Sequence, residues 1–340
     1  MSAAEPIRWG PIRWGIAGPG RIAEAVARDF DHVDDARIVA VGSRSAERAD
    51  AFAQRHGIAA EHAHGSYAAL LADPGVDAVY ISTPHPQHHA IAVAALDAGK
   101  AVLVEKAFTA TLAGAREVFA TAQATGGFAM EAMWTRFLPA IVRMRHLLAD
   151  GAIGEPLSVQ ADLGVRRAEE PAHRLFDPAL GGGAMLDLGV YVVSFAQMVL
   201  GTPTRVTAQG RIGATGVETD AAILLEFDGG TSATLSTSLR SPMPGQARVF
   251  GTDGWIDVLP RFHHPHQVVL HRAESEPETI TAPPAGVGYA GEFVEVGECL
   301  RAGRQQSETM PWADTLAVQA VLDEVLHQLG IELAEDPAVL

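Results

Sequence analysis

Residues Ile12–Ala23 read IRWGIAGPGRIA. The first six form a short apolar run that predicts a buried strand. Gly18-Pro19-Gly20 predicts a turn, and IAEAVARDF, from Ile22, has a helical pattern. Strand, glycine turn and helix in that order form the context in which G-x-G-x-x-A points to a dinucleotide site. Gly18 permits the tight turn, and Gly20 lets the main chain approach a pyrophosphate. Ala23 lets helix and strand pack closely. The helix N-terminus, with Arg21 and Ile22 in its first turn, then faces the phosphates. The glycines alone would fit an ordinary tight turn, so the following strand matters.

That strand lies in ARIVAVGSRS, Ala36–Ser45. A site built for NAD usually carries an acidic residue at this strand end, bonded to the ribose hydroxyls. Here the end is Gly42-Ser43-Arg44-Ser45, with no acid. A hydroxyl and a guanidinium suit a ribose phosphate, so NADP is expected over NAD. The alternation continues through SAERADAFAQRHG, VDAVYIS, HHAIAVAALDAGK, AVLVE and TLAGAREVFATAQATGG. Helices and strands at this spacing predict a doubly wound parallel sheet, with functional residues at the strands' carboxyl ends. Two such ends are Ser82-Thr83-Pro84-His85-Pro86-Gln87-His88 and Glu105-Lys106. From about Phe128 the pattern changes to short alternating runs, among them LSVQADLGV, DAAILLEF, TSATLSTSL and GWIDVLP, separated by turn signals. This predicts an α+β domain with a mostly antiparallel open sheet. The expected organisation is an extension over residues 1–11, a Rossmann domain over 12–127 and an α+β substrate and dimerisation domain over 128–340, closed by a helix over 312–329.

Composition sets outer bounds. The 340 residues exceed one ordinary core, so roughly two domains are expected. The net charge of −16 argues against nucleic acid or an anionic membrane as the main partner. Cys299 stands alone, which excludes an intrachain disulfide and suits a reducing, cytoplasmic setting. No apolar run is read as reaching the ~18 residues of a membrane span, and the start, MSAAEPIRWG, lacks the apolar segment of a secretory signal. PIRWG occurs twice, at Pro6–Gly10 and Pro11–Gly15; only the second copy continues into the strand pattern. The histidines cluster at His62 with His64, at His85, His88 and His89, and at His263, His264 and His266, but without thiolates or zinc-motif spacing. No metal is expected.

Two further segments carry chemistry. VEKAF, Val104–Phe108, puts Lys106 at the end of an apolar strand. GGGAMLDLGVY, Gly181–Tyr191, sets Asp187 and Tyr191 four residues apart, which stacks them on one helix face. A lysine beside a tyrosine lowers the phenol's pKa, and such a phenol can move a proton to or from a hydroxyl. Core packing for Tyr191, a polar helix position for Asp187 and a surface position for Lys106 are the plain alternatives.

With these motifs, WGIAGPGRIA, VGSRS, ISTPHPQHH, VEKAF, MEAMWTRFLP, RLFDPALGGGAMLDLGVY and MPWADTLAVQAVLDEV resemble the Gfo/Idh/MocA oxidoreductases, over about Ile12 to Gly330. The likeness is strongest to the branch of dihydrodiol and NADP-dependent aldose dehydrogenases. It implies a Rossmann domain, an antiparallel C-terminal sheet, a homodimer through that sheet, and an enzyme acting on CH–OH groups of a sugar or cyclic diol. It implies Lys106 as the family lysine, Tyr191 as the residue that moves the proton, and Asp187 as a pocket residue. Trp134 and Arg136 join the expected cofactor-binding set of Gly18, Pro19, Gly20, Arg21, Ile22, Ser43, Arg44, Ser82, Thr83, Pro84, His85, His88, Glu105 and Lys106. Trp134 and Phe137 equally suit a pocket floor, and Arg136, Arg167 and Arg174 either substrate contacts or surface ion pairs. A ketoreductase of a nucleotide-linked sugar and a non-catalytic NADP sensor are the rival functions. One departure stands out: the family motif E-K-P is here Glu105-Lys106-Ala107. Without proline a cis bond costs roughly 3 kcal/mol, so a trans bond is expected at Ala107.

Overall fold

The structure, a computed structural model, describes residues 10–340. The expected N-terminal extension, with all but the last residue of the first PIRWG copy, lies outside the described residues. The chain divides into two compact units. One takes the residues up to Trp134 together with Ala285–Trp312 and Glu335–Leu340; the other takes Thr135–Pro284 and Ala313–Ala334.

The first unit alternates as expected: β1 (Ile12–Ala17), α1 (Arg21–Asp29), β2 (Ala36–Gly42), α2 (Ala46–His56), β3 (Ala63–His64), α3 (Tyr67–Leu71), β4 (Ala78–Ile81), α4 (His88–Asp97), β5 (Ala101–Glu105), α5 (Leu112–Thr125) and β6 (Ala129–Ala132). The strands form one parallel sheet in the order β3-β2-β1-β4-β5-β6. This is the dinucleotide-binding order, with its reversal between β1 and β4. Every residue of β4, β5 and β6 is buried, as strands covered on both faces must be. Local signals set the helix ends. Ser45 Oγ accepts from Arg48 N to cap α2, Thr111 Oγ1 accepts from Gly114 N to cap α5, and Gly57 and Gly126 end the two helices.

Two features differ from the expected division at residue 128. β6 pairs with β5, Val102 opposite Ala129 and Glu105 opposite Ala132, so FAMEAMW supplies the sixth strand of the first sheet. The chain also returns to this unit with α8 (Ala290–Arg301), a helix the sequence pattern did not announce. Phe293 on α8 packs edge-on against Trp14 at 4.8 Å and Phe30 at 4.7 Å. Both features are long-range pairings, which local periodicity does not encode.

The second unit contains α6 (Pro139–Ala149), β7 (Pro156–Gly164), a π-helical turn at Met185–Gly189, α7 (Val190–Leu200), β8 (Arg205–Ile212), β9 (Glu218–Glu226), β10 (Ser232–Ser238), β11 (Ala247–Gly251), β12 (Gly254–Val258), β13 (Gln267–Arg272) and β14 (Glu278–Thr281). The closing helix, α9, spans Trp312–Gln328. The eight strands run β14-β13-β12-β11-β7-β10-β9-β8. All neighbours are antiparallel except β7 and β10. α7 packs on the β7–β10 centre of this sheet.

The expectation of no membrane-length apolar segment needs a correction. The helical stretch Pro178–Leu200 has 23 residues and is apolar enough to cross a membrane, but 72% of its most apolar window is buried inside the protein. Its composition serves the core. The apolar runs DAAILLEF and TSATLSTSL, in the sheet expected to dimerise, divide similarly. Ala221, Ile223, Leu225, Ala233 and Leu235 are buried, whereas Leu224 is exposed and Ser236 half-buried. Strand alternation therefore commits most of the apolar residues of these runs to the core.

Candidate active site

In the first unit the glycine turn is built as its sequence requires. Gly18 has φ +95°, and a side chain there would meet Thr83 Cγ2 at 3.0 Å and the Ser82 carbonyl oxygen at 3.2 Å. The Ser82 hydroxyl donates to the Gly18 carbonyl at 2.9 Å, bracing the turn from the end of β4. At Gly20 a Cβ would meet nothing within 4 Å, so this side of the turn is open. No side chain caps α1 at Gly20, which leaves the amides of the first turn, Arg21 and Ile22 included, without a side-chain acceptor there. The Thr83 hydroxyl, beside Pro84, is buried and has no hydrogen-bond partner among the described residues. An open glycine cradle, an uncapped helix start and an unpartnered hydroxyl fit a dinucleotide's phosphates.

The end of β2 is basic. Ser43 is buried, and its Oγ accepts from Ser45 N at 3.2 Å. Arg44 is exposed. Arg48, from the first turn of α2, donates through Nη2 to the Pro19 carbonyl at 3.4 Å. Burial raises the pKa of the Tyr67 phenol, and the neighbouring Arg44 and Arg48 guanidinium groups oppose that rise. Arg48 was not anticipated. Its signal was present in Ser43-Arg44-Ser45-Ala46-Glu47-Arg48, where the helix start returns a second arginine to the same strand end.

At the end of β5 the Glu105 carboxylate accepts the Tyr80 hydroxyl in a short hydrogen bond and the Lys106 amide at 3.1 Å. The Lys106–Ala107 peptide bond is cis, contrary to expectation. The preference for trans belongs to the isolated peptide. Here the Ala107 carbonyl lies 3.1 Å from Nδ1 of fully buried His88, whose Nε2 lies 2.8 Å from the Thr83 carbonyl. His88 thus ties the two strand-end loops together, and burial lowers its pKa. His85, also buried, packs edge-on to it at 5.7 Å.

Trp134 is buried and stacks flat on Tyr289, with centroids 4.3 Å apart and planes 12° apart. Tyr289 belongs to no motif. Its loop is shaped by Asp29 at the end of α1, whose carboxylate accepts the amides of Val287, Gly288 and Tyr289 at 2.8, 2.7 and 2.7 Å. The GVG triplet before Tyr289 is the trace of this nest in the sequence: at Gly286, φ +58°, a Cβ would fall 2.5 Å from Asp29 Oδ1.

In the second unit the triple glycine leads into the π-helical turn and α7, so the Asp187–Tyr191 spacing spans a junction of π and α geometry. Buried Glu218, at the start of β9, accepts the Met185 amide at 2.7 Å. A side chain at Gly183 would fall 2.3 Å from its Oε1. Burial pushes the Glu218 carboxyl up to about 7 against the pull of the Met185 and Ala184 amides. Asp187 pairs with Arg174 Nη2 at 2.8 Å, so Arg174 has an intramolecular partner. The Tyr191 ring is buried, 4.9 Å from that of His263. Arg136 is buried in this unit, donating to Asp314 Oδ2 and Gln197 Oε1, each at 2.5 Å. Phe137 lies in the same short 3-10 turn, and the Arg167 amide donates to the Leu239 carbonyl. A concavity of about 370 Å³ on the eight-stranded sheet, lined by Gln160, Asp162, Thr234, Ser236, Gln246 and Arg248 among others, contains none of the expected site residues. The structure thus gathers the expected cofactor residues of the β1, β2, β4 and β5 ends in one unit, and Asp187, Tyr191 and Arg136 in the other.

Comparison with known proteins places this architecture. Residues 12–132 match the oxidoreductase family with an NAD-binding Rossmann fold, and residues 141–257 match the GFO/IDH/MocA C-terminal domain. The chain belongs to the Gfo/Idh/MocA family and is an oxidoreductase with an NAD(P)-binding Rossmann domain. It is 35% identical over 342 residues to trans-1,2-dihydrobenzene-1,2-diol dehydrogenase of Bos taurus, covering 96% of this chain and 99% of that one. It is 36% identical over 339 residues to the enzyme of the same name from Sus scrofa, with the same coverage. Among solved structures it is similar to KijD10, a 3-ketoreductase from Actinomadura kijaniata in complex with NADP and TDP-benzene. The TM-score is 0.83 at 26% identity, over 96% of this chain and 100% of that one. Solved variants of that ketoreductase replace one lysine and one tyrosine. An aldose-aldose oxidoreductase from Caulobacter crescentus, complexed with glycerol, shares the fold at a TM-score of 0.85 and 23% identity, over 93% of this chain and 97% of that one.

Proposed function

We propose that the chain is an NADP-dependent dehydrogenase or reductase interconverting a carbinol and a carbonyl on a sugar or a cyclic diol. The observation that carries this reading is the likeness to trans-dihydrodiol dehydrogenases across 96% of the chain. The choice of NADP rests on this chain's own residues. The end of β2 presents Ser43 and Arg44, joined by Arg48 reaching back to Pro19, and no acid. A guanidinium forms a charge-assisted fork with phosphate.

The nicotinamide, when bound, supplies the hydride chemistry. The turn at Gly18, Pro19 and Gly20 and the first turn of α1 would hold the pyrophosphate, and Ser43, Arg44 and Arg48 would hold the ribose phosphate. Thr83 and Pro84 line the same strand ends. In the oxidative direction the Tyr191 oxygen takes the substrate hydroxyl's proton, and the Lys106 ammonium stabilises the charge that develops. Glu105 fixes the main chain at Lys106 through its amide. Asp187, steadied by Arg174, orients a neighbouring hydroxyl. Replacement of one lysine and one tyrosine in the related ketoreductase supports this choice of residue types. A nucleotide-linked sugar as substrate is the second reading, favoured by the NADP and TDP-benzene bound to that ketoreductase.

The test is the absorbance of reduced nicotinamide during a screen of xylose, glucose, trans-dihydrodiols, dicarbonyls and a nucleotide-linked keto sugar, each with NADP(H) and NAD(H). Turnover with a dihydrodiol or aldose and NADP is expected. NADP binding without turnover on any of them would instead identify a sensor. The proposal includes a homodimer through the outer face of the eight-stranded sheet, and light scattering showing a monomer at micromolar concentration would remove that part.

A further inference from the structure

The histidine spacings gave no reason to expect a metal. The fold nevertheless brings His62, His64 and Asp73 together, beside the end of β2, where the Ser43 amide donates to the His64 carbonyl at 3.0 Å. His62 closes a short 3-10 turn and His64 lies in β3, at the edge of the parallel sheet; Asp73 follows α3. Both rings converge on one carboxylate oxygen: His62 Nδ1 lies 2.7 Å and His64 Nε2 2.9 Å from Asp73 Oδ2. All three atoms lie within 4.8 Å of one another.

The surroundings favour a ligand set over a simple hydrogen-bonded pair. The other carboxylate oxygen, Oδ1, is held by the Gly75 amide at 2.7 Å. A bond to the far oxygen is what fixes the orientation of a ligating carboxylate. A Cβ at Gly75 would fall 2.9 Å from that same oxygen, so the glycine lets the amide approach it closely. The Asp73 side chain is almost fully buried, so its carboxylate is held in place among these contacts. The His62 side chain is 37% exposed, leaving a side from which an ion and its water can enter. The nearby Lys100 ammonium is bonded to the Asp73 and Val76 carbonyls, each at 2.8 Å. Ligand distances of about 2.0–2.2 Å around a tetrahedral ion put neighbouring donor atoms roughly 3.4 Å apart. The two contacts to Asp73 Oδ2, at 2.7 and 2.9 Å, need open by only about 0.5–0.7 Å to admit one.

We propose that His62, His64 and Asp73 form a binding site for a divalent transition-metal ion of the Zn²⁺ class, completed by water. Two imidazoles and one carboxylate suit Zn²⁺, Co²⁺ or Ni²⁺ rather than Mg²⁺ or Ca²⁺. The ion would fasten the two-residue edge strand β3 to the turn before β4. This is a structural clip, separate from the hydride chemistry.

The test uses full-length protein without a histidine tag, titrated calorimetrically with Zn²⁺ and, as a spectroscopic probe, with Co²⁺. Wild-type protein should take up one equivalent with visible cobalt absorption, and saturating Zn²⁺ should raise its thermal midpoint. His64→Ala should weaken binding at least ten-fold and abolish the thermal shift. His62→Ala, at a more exposed position and so safer for folding, should do the same. Absence of saturable binding to the wild type would overturn the proposal. So would unchanged affinity in both variants, which would move the ion to another histidine cluster.

Discussion

The Glu218 carboxylate and the Met185 amide, 33 residues apart, are joined by a buried 2.7 Å hydrogen bond. A strand residue outside every recognisable motif thereby anchors the start of the helix that carries Asp187 and Tyr191. Gly183 is required beside it, because any Cβ there would strike the carboxylate.

This anchor has a pH signature. Burial raises the Glu218 carboxyl from its ordinary 4.5 to about 7, so the folded protein retains a proton that the unfolded chain releases. Its contribution to stability is full below about 4.5, is lost as the pH rises to about 7, and stays lost above. The gap corresponds to about 3 kcal/mol at most. Glu218→Gln keeps an acceptor for the Met185 amide without the ionisation. We expect the variant to melt several degrees above wild type at pH 8 and close to it at pH 5, measured by calorimetry. A difference independent of pH would show that Glu218 is not the titrating group.

Asp29 holds three amides of the loop before α8. Asp29→Ala leaves all three donors without their acceptor, those of Gly288 and Tyr289 in a buried setting. At roughly 1–3 kcal/mol for each buried donor left unpaired, a loss of about 3 kcal/mol or more is expected in chemical denaturation. Tyr289 should lose its fixed stacking on Trp134, visible as a change in near-ultraviolet circular dichroism. Stability within experimental error of wild type would remove Asp29 as the organiser of this loop.

On the proposed NADP reading, Arg44→Ala removes a charge-assisted phosphate contact worth roughly 1.5–3 kcal/mol. NADP affinity should fall ten-fold or more while NAD affinity stays almost unchanged. Arg48→Ala should act in the same direction and add to the loss in the double variant. Fluorescence titration with both cofactors decides this; equal losses for NAD and NADP would reject the ribose-phosphate assignment.

Tyr191→Phe keeps the ring against His263 and removes only the oxygen. Lys106→Ala removes the charge and leaves the Lys106 amide to Glu105. General acid–base contributions are typically 10²–10⁴-fold, so both variants should fold and bind NADP yet lose about two orders of magnitude or more in turnover. If the two act as a unit, the double variant should be little worse than either single one. Near-normal turnover by Tyr191→Phe would transfer the proton role elsewhere, with buried His85 and His88 next to examine.

The sequence by itself determined the parallel sheet, the glycine turn and the basic end of β2. Strand and helix periods, caps and turn glycines are local, and β1 and β5 run over the residues their apolar patterns predicted. The antiparallel second sheet was legible for the same reason. Only the tertiary structure decided the rest, because each remaining feature joins residues far apart in the chain. β6 belongs to the first sheet through its pairing with β5. α8 returns to the first unit and is packed through Phe293. The Lys106–Ala107 bond is cis against its local preference, beside His88 at the start of α4. Arg174 meets Asp187, Glu218 meets Met185, and His62 and His64 meet Asp73. Spacing in a sequence fixes which side chains share a helix or strand face; only packing fixes which faces meet.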